Sequence, residues 1–196
     1  MNLIKKFIFA NGGVAAIEFA LSFPLLALLL FGTVDGARYV LITQKVERVA
    51  ATLSDVTSQS DTITSTQLGQ IITAAGQVLQ PYDFAADGSA IISSVTKTGA
   101  NAPVVNWQYR STGTIQTSHI GVSGGAATMP ANFTIAAGET VIVAEVFYAY
   151  KPILNGYLYN NNQIYRTSIY KPRLGSLTTL GWLSPIIQKE KLLWNS

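Results

Sequence analysis

Gly13, Val14 and Glu18 have types and a spacing that suit proteolytic processing inside an apolar segment. Cleavage after Gly13 would create an α-amine on Val14, and Val14 and Glu18 share a helix face because they stand at i and i+4. An amine and a carboxylate at that distance neutralise each other in a low-dielectric surrounding, within one chain or between stacked neighbours. Alternatively, Glu18 lies near the membrane interface and extends its carboxylate outward into water.

A second stretch, Gly121-Val122-Ser123-Gly124-Gly125, has the form of the glycine-rich nucleophile loop of chymotrypsin-like proteases. No acid precedes Ser123, and His119 stands only four residues upstream of it, whereas that triad takes its histidine from far earlier in the chain. A glycine-rich turn between strands accounts better for the pattern. A membrane-tethered hydrolase is therefore the weakest of the functions considered.

Metal and cofactor chemistry finds little support in the composition. The chain has no cysteine and one histidine, which excludes disulfides, thiolate nucleophiles and multi-histidine metal sites. Asp83, Asp87 and Asn101 could suggest calcium, but they lack the spacing of an EF-hand loop and are interpreted as turn residues. We expect no catalytic residue, no metal ligand and no cofactor.

Charge is sparse and concentrated near the start of the chain. Of 196 residues, 48% are hydrophobic and 12% charged, against roughly 25% charged in ordinary soluble domains. Lys5 and Lys6 supply two of the 13 Lys and Arg, which leaves 11 against 10 Asp and Glu from Val14 onward. A nucleic-acid partner is not expected, because such proteins cluster their basic residues against phosphates.

The hydrophobicity is concentrated in residues 14–34. Roughly 20 apolar residues span about 30 Å of hydrocarbon, so this length suits one transmembrane helix. Lys5 and Lys6 favour a cytoplasmic N-terminus and export of the chain after about Asp35. A retained anchor is favoured over a removed secretory signal, whose apolar region is shorter and ends in an A-x-A-like site.

The basic leader, the glycine, four small or apolar residues, the glutamate and the apolar helix together resemble the class III signal of type IV prepilins. The run from Gly13 to Leu21, with Pro24 and a leucine-rich stretch up to Asp35-Gly36-Ala37-Arg38, is more narrowly similar to the TadE/TadG-like pseudopilins. These are accessory subunits of the tight-adherence (Tad, or Flp) pilus machinery. The resemblance covers about residues 12–56.

The resemblance implies a minor pilin that takes part in assembling an adhesive pilus, by initiation, capping or a platform role. A membrane aspartyl prepilin peptidase would cut between Gly13 and Val14, and Glu18 would matter for processing or assembly. The implied partners are other pilins of the system, the assembly platform of the bacterial inner membrane and the bilayer, with the head periplasmic. The alternative is an unprocessed single-span envelope protein whose β-rich ectodomain binds a ligand or a surface.

Beyond the membrane segment, the helical pattern continues to about Thr57. A stripe at 4-3-4-3 spacing predicts one buried face, formed by Ile42, Val46, Val49, Leu53 and Val56. Two pairs of small residues, Ala16 with Ala20 and Gly32 with Gly36, would let another helix approach closely.

The remainder predicts an α+β, pilin-like head with an antiparallel sheet packed against helix. Ser65 or Thr66 caps a second helix that Pro81 ends. Four strands are expected near residues 90–97, 105–110, 140–150 and 163–171, with the third one central. Glu145, within the third strand, is expected on a solvated face or paired with Arg110 or Arg166.

The predicted organisation has five parts. Residues 1–13 form a cleaved leader, 14–34 a transmembrane helix, 35–57 its extension, 58–173 the exported head and 174–196 an apolar tail. The tail either packs back onto the head or offers a surface to a partner or a membrane.

Overall fold

The computed structural model describes residues 12–111, 116–153 and 163–181. Most of the expected leader and of the apolar tail therefore lies outside the described residues. The elements, in chain order, are α1 (Gly12–Ser58), α2 (Ser65–Gly76), a 3₁₀ turn (Gln77–Leu79), α3 (Phe84–Asp87), β1 (Gly88–Thr96), β2 (Val104–Arg110), β3 (Thr140–Ala149) and β4 (Gln163–Tyr170). The predicted α+β class, with a long N-terminal helix, is confirmed.

The chain divides into two compact units, Met1–Val40 with Lys151–Asn161, and Leu41–Tyr150 with Asn162–Ser196. The described part of the first unit is the opening half of α1 together with residues 151–153. From Gly13 onward, α1 is long and apolar enough to cross a membrane, and Pro24 lies within it. The helix therefore has the properties of a membrane anchor.

The second unit is built on a four-stranded sheet of order β2-β1-β3-β4, in which all neighbours are antiparallel. β3 lies in the interior, with eight consecutive buried residues, and pairs with both β1 and β4. The predicted central strand is confirmed. β1 is the other interior strand, which explains why it too is buried along almost all of its length.

The later turns of α1 pack into this second unit. Ile42, Val46, Val49 and Leu53 are at most 1% exposed, which confirms four positions of the predicted stripe. Val56 is 37% exposed, and Thr57 is buried in its place. An α-helix has about 3.6 residues per turn. At this point Thr57, four residues after Leu53, therefore lies closer to the buried face than Val56, three residues after it.

Polar contacts fix this part of α1 to β4 and to the chain that follows β4. The Ser54 hydroxyl donates to the Ser168 hydroxyl at 2.9 Å. Asp55 accepts a hydrogen bond of 2.5 Å from the Arg173 guanidinium, and the Arg173 amide donates to the Ser58 carbonyl at 2.8 Å.

The N-cap of α2 lies one residue before the predicted caps. Thr64 is the N-cap, and its hydroxyl accepts from the Gln67 amide while the Gln67 side chain accepts from the Thr64 amide. This reciprocal capping box requires a hydroxyl followed three residues later by Glu or Gln, a pattern that Thr64 and Gln67 satisfy. Ser65 and Thr66, the predicted caps, instead lie in the first turn.

A segment between β2 and β3 covers the other face of the sheet. Its side chains join those of the strands in one apolar cluster, made of Val95, Val105, Ile120, Ile135, Val141 and Val143. Both faces of the sheet are therefore covered, one by helix and one by this connection.

Candidate functional site

The residues that the sequence marks for processing lie in the first turns of α1. Gly13 stands at the start of the helix, and Val14 and Glu18 share one face at i and i+4. All three are exposed. The backbone thus places the Gly13–Val14 bond and the Glu18 carboxylate on an accessible helix surface.

The apolar half of α1 presents its side chains outward along its whole length. The large apolar side chains between Val14 and Val34 range from 43% exposed at Val34 to 76% exposed at Leu21. Exposing so large a continuous apolar surface to water is unfavourable. Lipid or other apolar helices are the surroundings that this surface fits.

Gly32 and Gly36 form an open notch on this helix. A Cβ atom added at either position would meet nothing within 4 Å. Glycine is thus not required here by any contact within the described chain. A small-x-x-x-small pair on an exposed apolar helix is the pattern that allows two helix backbones to approach each other.

Asp35 is a feature that sequence reasoning did not single out. It follows the apolar run directly, yet it is 1% exposed, and its Oδ1 accepts a hydrogen bond of 3.1 Å from the Ile153 amide. Both residues belong to the first unit. The sequence marks Asp35 only as an acid at the end of an apolar run. Its burial could not be predicted from this, because its partner Ile153 lies more than a hundred residues away in the sequence.

Glu145 is wholly buried at the centre of the sheet, so its predicted place on a solvated face or beside an arginine is wrong. It lies on the same face of β3 as Val143 and Phe147, because alternate residues of a strand share a face. The segment from residue 118 to residue 120 covers it there. The Ser118 hydroxyl donates to Oε2, and the His119 amide donates to Oε1 at 2.8 Å.

Tyr165 of β4 completes the set of hydrogen bonds around this carboxylate. Its hydroxyl donates to Oε1 of Glu145 at 3.0 Å, and its ring lies against those of His119 and Phe147, with centroids 4.3 and 5.0 Å away. Burial, and then the nearby carboxylate of Glu145, raise the pKa of Tyr165 because both disfavour the phenolate. The group is suited to holding a connection onto the sheet.

The arginines that were expected beside Glu145 bond elsewhere. Arg110 donates to the side-chain oxygen of Gln108 and to the carbonyl of Gln116, and Arg166 donates to the carbonyl of Tyr165. Three uncharged donors, rather than a cation, therefore satisfy the buried carboxylate.

The Ser123 stretch forms the glycine-rich turn that the sequence predicts. Gly124 has φ +79°, and a Cβ added at Gly121 would lie 2.8 Å from the Ala126 carbonyl oxygen. Ser123 lies next to β2, with its hydroxyl 3.4 Å from the Asn106 carbonyl. His119 packs instead against β3 and β4, so this serine and this histidine do not form a catalytic pair.

The candidate calcium residues also have local roles. Asp83 caps α3, and its Oδ1 accepts from the amides of Ala85 and Ala86 at 2.9 and 3.1 Å. Asp87 is the last residue of α3. In the part of the chain that the structure describes, no three His, Asp or Glu side chains converge on a possible metal position.

Comparison with known families agrees with the N-terminal motif. Residues 13–53 match the family of TadE-like proteins, so the match begins at the glycine of the predicted cleavage site and ends within α1. The resemblance inferred from the sequence is confirmed over this segment. No curated protein and no solved structure matches the chain.

Proposed function

We propose that this chain, whose residues 13–53 match TadE-like proteins, is a minor pilin of a Tad pilus. Prepilin peptidase cuts it between Gly13 and Val14, and α1 then holds it in the bacterial inner membrane with its head periplasmic. In this role it takes part in filament assembly through contacts with other pilins and with the assembly platform, and it catalyses no reaction itself. The observation that carries the proposal is the family match, which starts at Gly13, in the first turn of the exposed apolar helix.

Glu18 has a specific task in this proposal. Once Val14 is the first residue, its α-amine lies one helical turn from the Glu18 carboxylate. In lipid, an unpaired carboxylate costs several kcal/mol, and an ammonium at this distance offsets that cost. The amine of a neighbouring subunit serves the same purpose when a helix slides alongside, which would align successive subunits.

The exposed surface of α1 supplies the binding face. In the bilayer its apolar side chains contact lipid, and in an assembly they contact the helices of other pilins. The open notch at Gly32 and Gly36 is where a neighbouring backbone can approach most closely. The open space beside both glycines in the described chain supports this use.

Replacing the residue before the scissile bond tests the proposal. Gly13→Leu should block cleavage, because the peptidase must accommodate the residue on the leader side of the bond. Gly12→Leu adds the same side chain one residue upstream and serves as the matched control. Both variants are expressed with and without prepilin peptidase, and the mass of the product is measured.

The expected result is a leader retained in Gly13→Leu and removed in the wild type only when the peptidase is present. Equal processing of Gly13→Leu and the wild type would contradict the proposed site. A wild-type chain that stays uncut beside the peptidase would favour the unprocessed single-span envelope protein.

A further inference from the structure

A groove of about 420 Å³ opens between α2 and the start of β1. This volume falls within the roughly 300–1,000 Å³ typical of small-molecule sites. The groove lies entirely within the second unit. Its polar and aromatic lining includes Thr73, Gln77, Gln80, Tyr82, Asp83 and Tyr109.

The floor of the groove is built by two glycines around one aromatic ring. A Cβ at Gly76 would lie 2.9 Å from Cδ1 of Phe84, and a Cβ at Gly88 would lie 2.2 Å from Cδ2 of the same ring. Only glycine lets Phe84 settle between α2 and β1. The ring is 8% exposed and lines the groove, so the floor is apolar and firmly held.

Two tyrosines, Tyr82 and Tyr109, are half-buried and line the groove. The Tyr109 hydroxyl packs close to α2, since a Cβ at Gly69 would lie 3.0 Å from it. Thr73 and Gln77, on α2 and the turn after it, add an exposed hydroxyl and an exposed amide. Apolar rings thus stand beside neutral donors and acceptors.

The charges around the groove oppose each other. Among the described lining residues, Asp83 is the only Asp, Glu, Lys or Arg, and its Oδ1 already accepts two backbone amides. Lys45 lies beside the groove, where its ammonium donates to the Gln80 carbonyl and stands 5.9 Å from the centroid of the Tyr82 ring. Asp83 repels an anionic ligand and Lys45 a cationic one, while each attracts the opposite charge, so the pair gives neither kind of charged ligand a net advantage.

We propose that this groove binds a neutral saccharide unit. The C–H face of a sugar ring packs on the half-buried rings of Tyr82 and Tyr109, over the floor that Phe84 forms. The Thr73 hydroxyl already donates to the Gly69 carbonyl and the Gln77 side-chain oxygen accepts from Gln80, so the sugar hydroxyls donate to the Thr73 oxygen and the Asp83 carboxylate and accept from the Gln77 amide. The balance of Asp83 and Lys45 selects an uncharged ring. Lys45 lies on α1 after the apolar residues 14–34, and both it and the groove belong to the second unit. The groove therefore binds its ligand whether or not the chain enters a filament.

The test uses the full chain in phosphatidylcholine nanodiscs, because alkyl-glycoside detergents carry sugars themselves. Saturation-transfer NMR is recorded with N-acetylglucosamine, galactose and mannose, and with glucosamine and glucuronic acid as charged rings. The expected result is transfer to at least one neutral sugar, with an affinity near 1 mM, and weaker transfer to both charged rings.

A pair of variants locates the binding. Thr73→Trp places a large side chain in the groove from an exposed helix position and should weaken binding about tenfold or more. Ala74→Trp makes the same addition at the next exposed position of α2, which does not line the groove, and should leave binding unchanged.

Three outcomes would overturn the proposal. The first is no saturation transfer to any of the three neutral sugars when the sugar concentration is about ten times the expected dissociation constant. The second is stronger transfer to a charged sugar than to the neutral ones. The third is equal sugar binding by Thr73→Trp and Ala74→Trp.

Discussion

The hydroxyl of Tyr165 on β4 donates a hydrogen bond of 3.0 Å to the carboxylate of Glu145, which is wholly buried on β3. On its other side the same carboxylate accepts from the Ser118 hydroxyl and the His119 amide. An edge strand and a long connection are therefore both held by one acid in the middle of the sheet. We expect this acid to be a principal determinant of the stability of the head.

Replacing Glu145 should destabilise the head in proportion to the hydrogen bonds lost. Glu145→Leu removes every acceptor and should lower the free energy of unfolding by about 3 kcal/mol or more, since each buried donor left unpaired costs about 1–3 kcal/mol. Glu145→Gln keeps one oxygen and should cost about 1–2 kcal/mol. Denaturant unfolding followed by near-UV circular dichroism measures both, and equal losses for the two variants would contradict the proposed role.

Alkaline pH should weaken the fold through Tyr165. The raised pKa means that the folded protein holds the phenol proton more tightly than the unfolded chain does. The stabilisation is therefore complete below the ordinary tyrosine pKa of about 10 and is lost as the pH rises through the raised value.

The matching measurement is the midpoint of unfolding between pH 8 and 12 for wild type and Tyr165→Phe. Tyr165→Phe should be less stable at pH 8, because it lacks the hydrogen bond to Glu145, and should lose less stability than wild type as the pH rises. Tyr170→Phe removes an exposed phenol from the same strand as a control. Parallel profiles for wild type and Tyr165→Phe would show that this phenol does not govern the alkaline transition.

Filling the helix notch should weaken assembly without disturbing the single chain. Gly32→Leu with Gly36→Leu places side chains where nothing lies within 4 Å of a Cβ, so membrane insertion should be unchanged. A photo-crosslinker at Leu29, one turn away, should capture other pilins in the wild type and several-fold less in this variant. Ala37→Leu places a leucine on a neighbouring exposed face of the same turn, and crosslinking lowered equally by that control would refute a specific contact at the glycines.

Removing the acid of the apolar segment should separate insertion from assembly. Glu18→Ala and Glu18→Gln should enter the membrane at wild-type levels but sharply reduce surface pili, because neither offers a charge to the Val14 amine. Glu47→Ala removes an exposed acid from the same helix, at a position outside the apolar run, and should leave piliation intact. The measurement is the number of surface pili counted by electron microscopy. A normal number of pili with Glu18→Ala would exclude a role of Glu18 in assembly.

The elements of this fold could be predicted because their signals are local. The strands show a period of two, and α1 shows an apolar run followed by a stripe, so each prediction needs only neighbouring residues. The stripe wrongly includes Val56 as a buried residue, because the buried face shifts gradually around a helix along its length. The N-cap of α2 is Thr64 rather than Ser65 or Thr66, although the capping box of Thr64 and Gln67 is present in the sequence. The N-terminal motif was found for the same reason, since Gly13, Val14 and Glu18 lie within two turns of helix.

The buried acids could not be predicted in this way. Glu145 is surrounded by residues 20 or more positions away, and which connection covers its face depends on the path of the chain between β2 and β3. The Asp35 contact with Ile153 crosses 118 positions. The groove likewise depends on Phe84 fitting between Gly76 and Gly88, a three-way contact that no spacing rule reveals.

The central claim is that the mature chain begins at Val14. The most direct test is the intact mass of the protein purified from membranes of cells that make an active prepilin peptidase. We predict a mass that lacks residues 1–13, with valine as the first residue on N-terminal sequencing. A chain that still carries Met1, in cells whose other prepilins are fully trimmed, would contradict the pilin assignment.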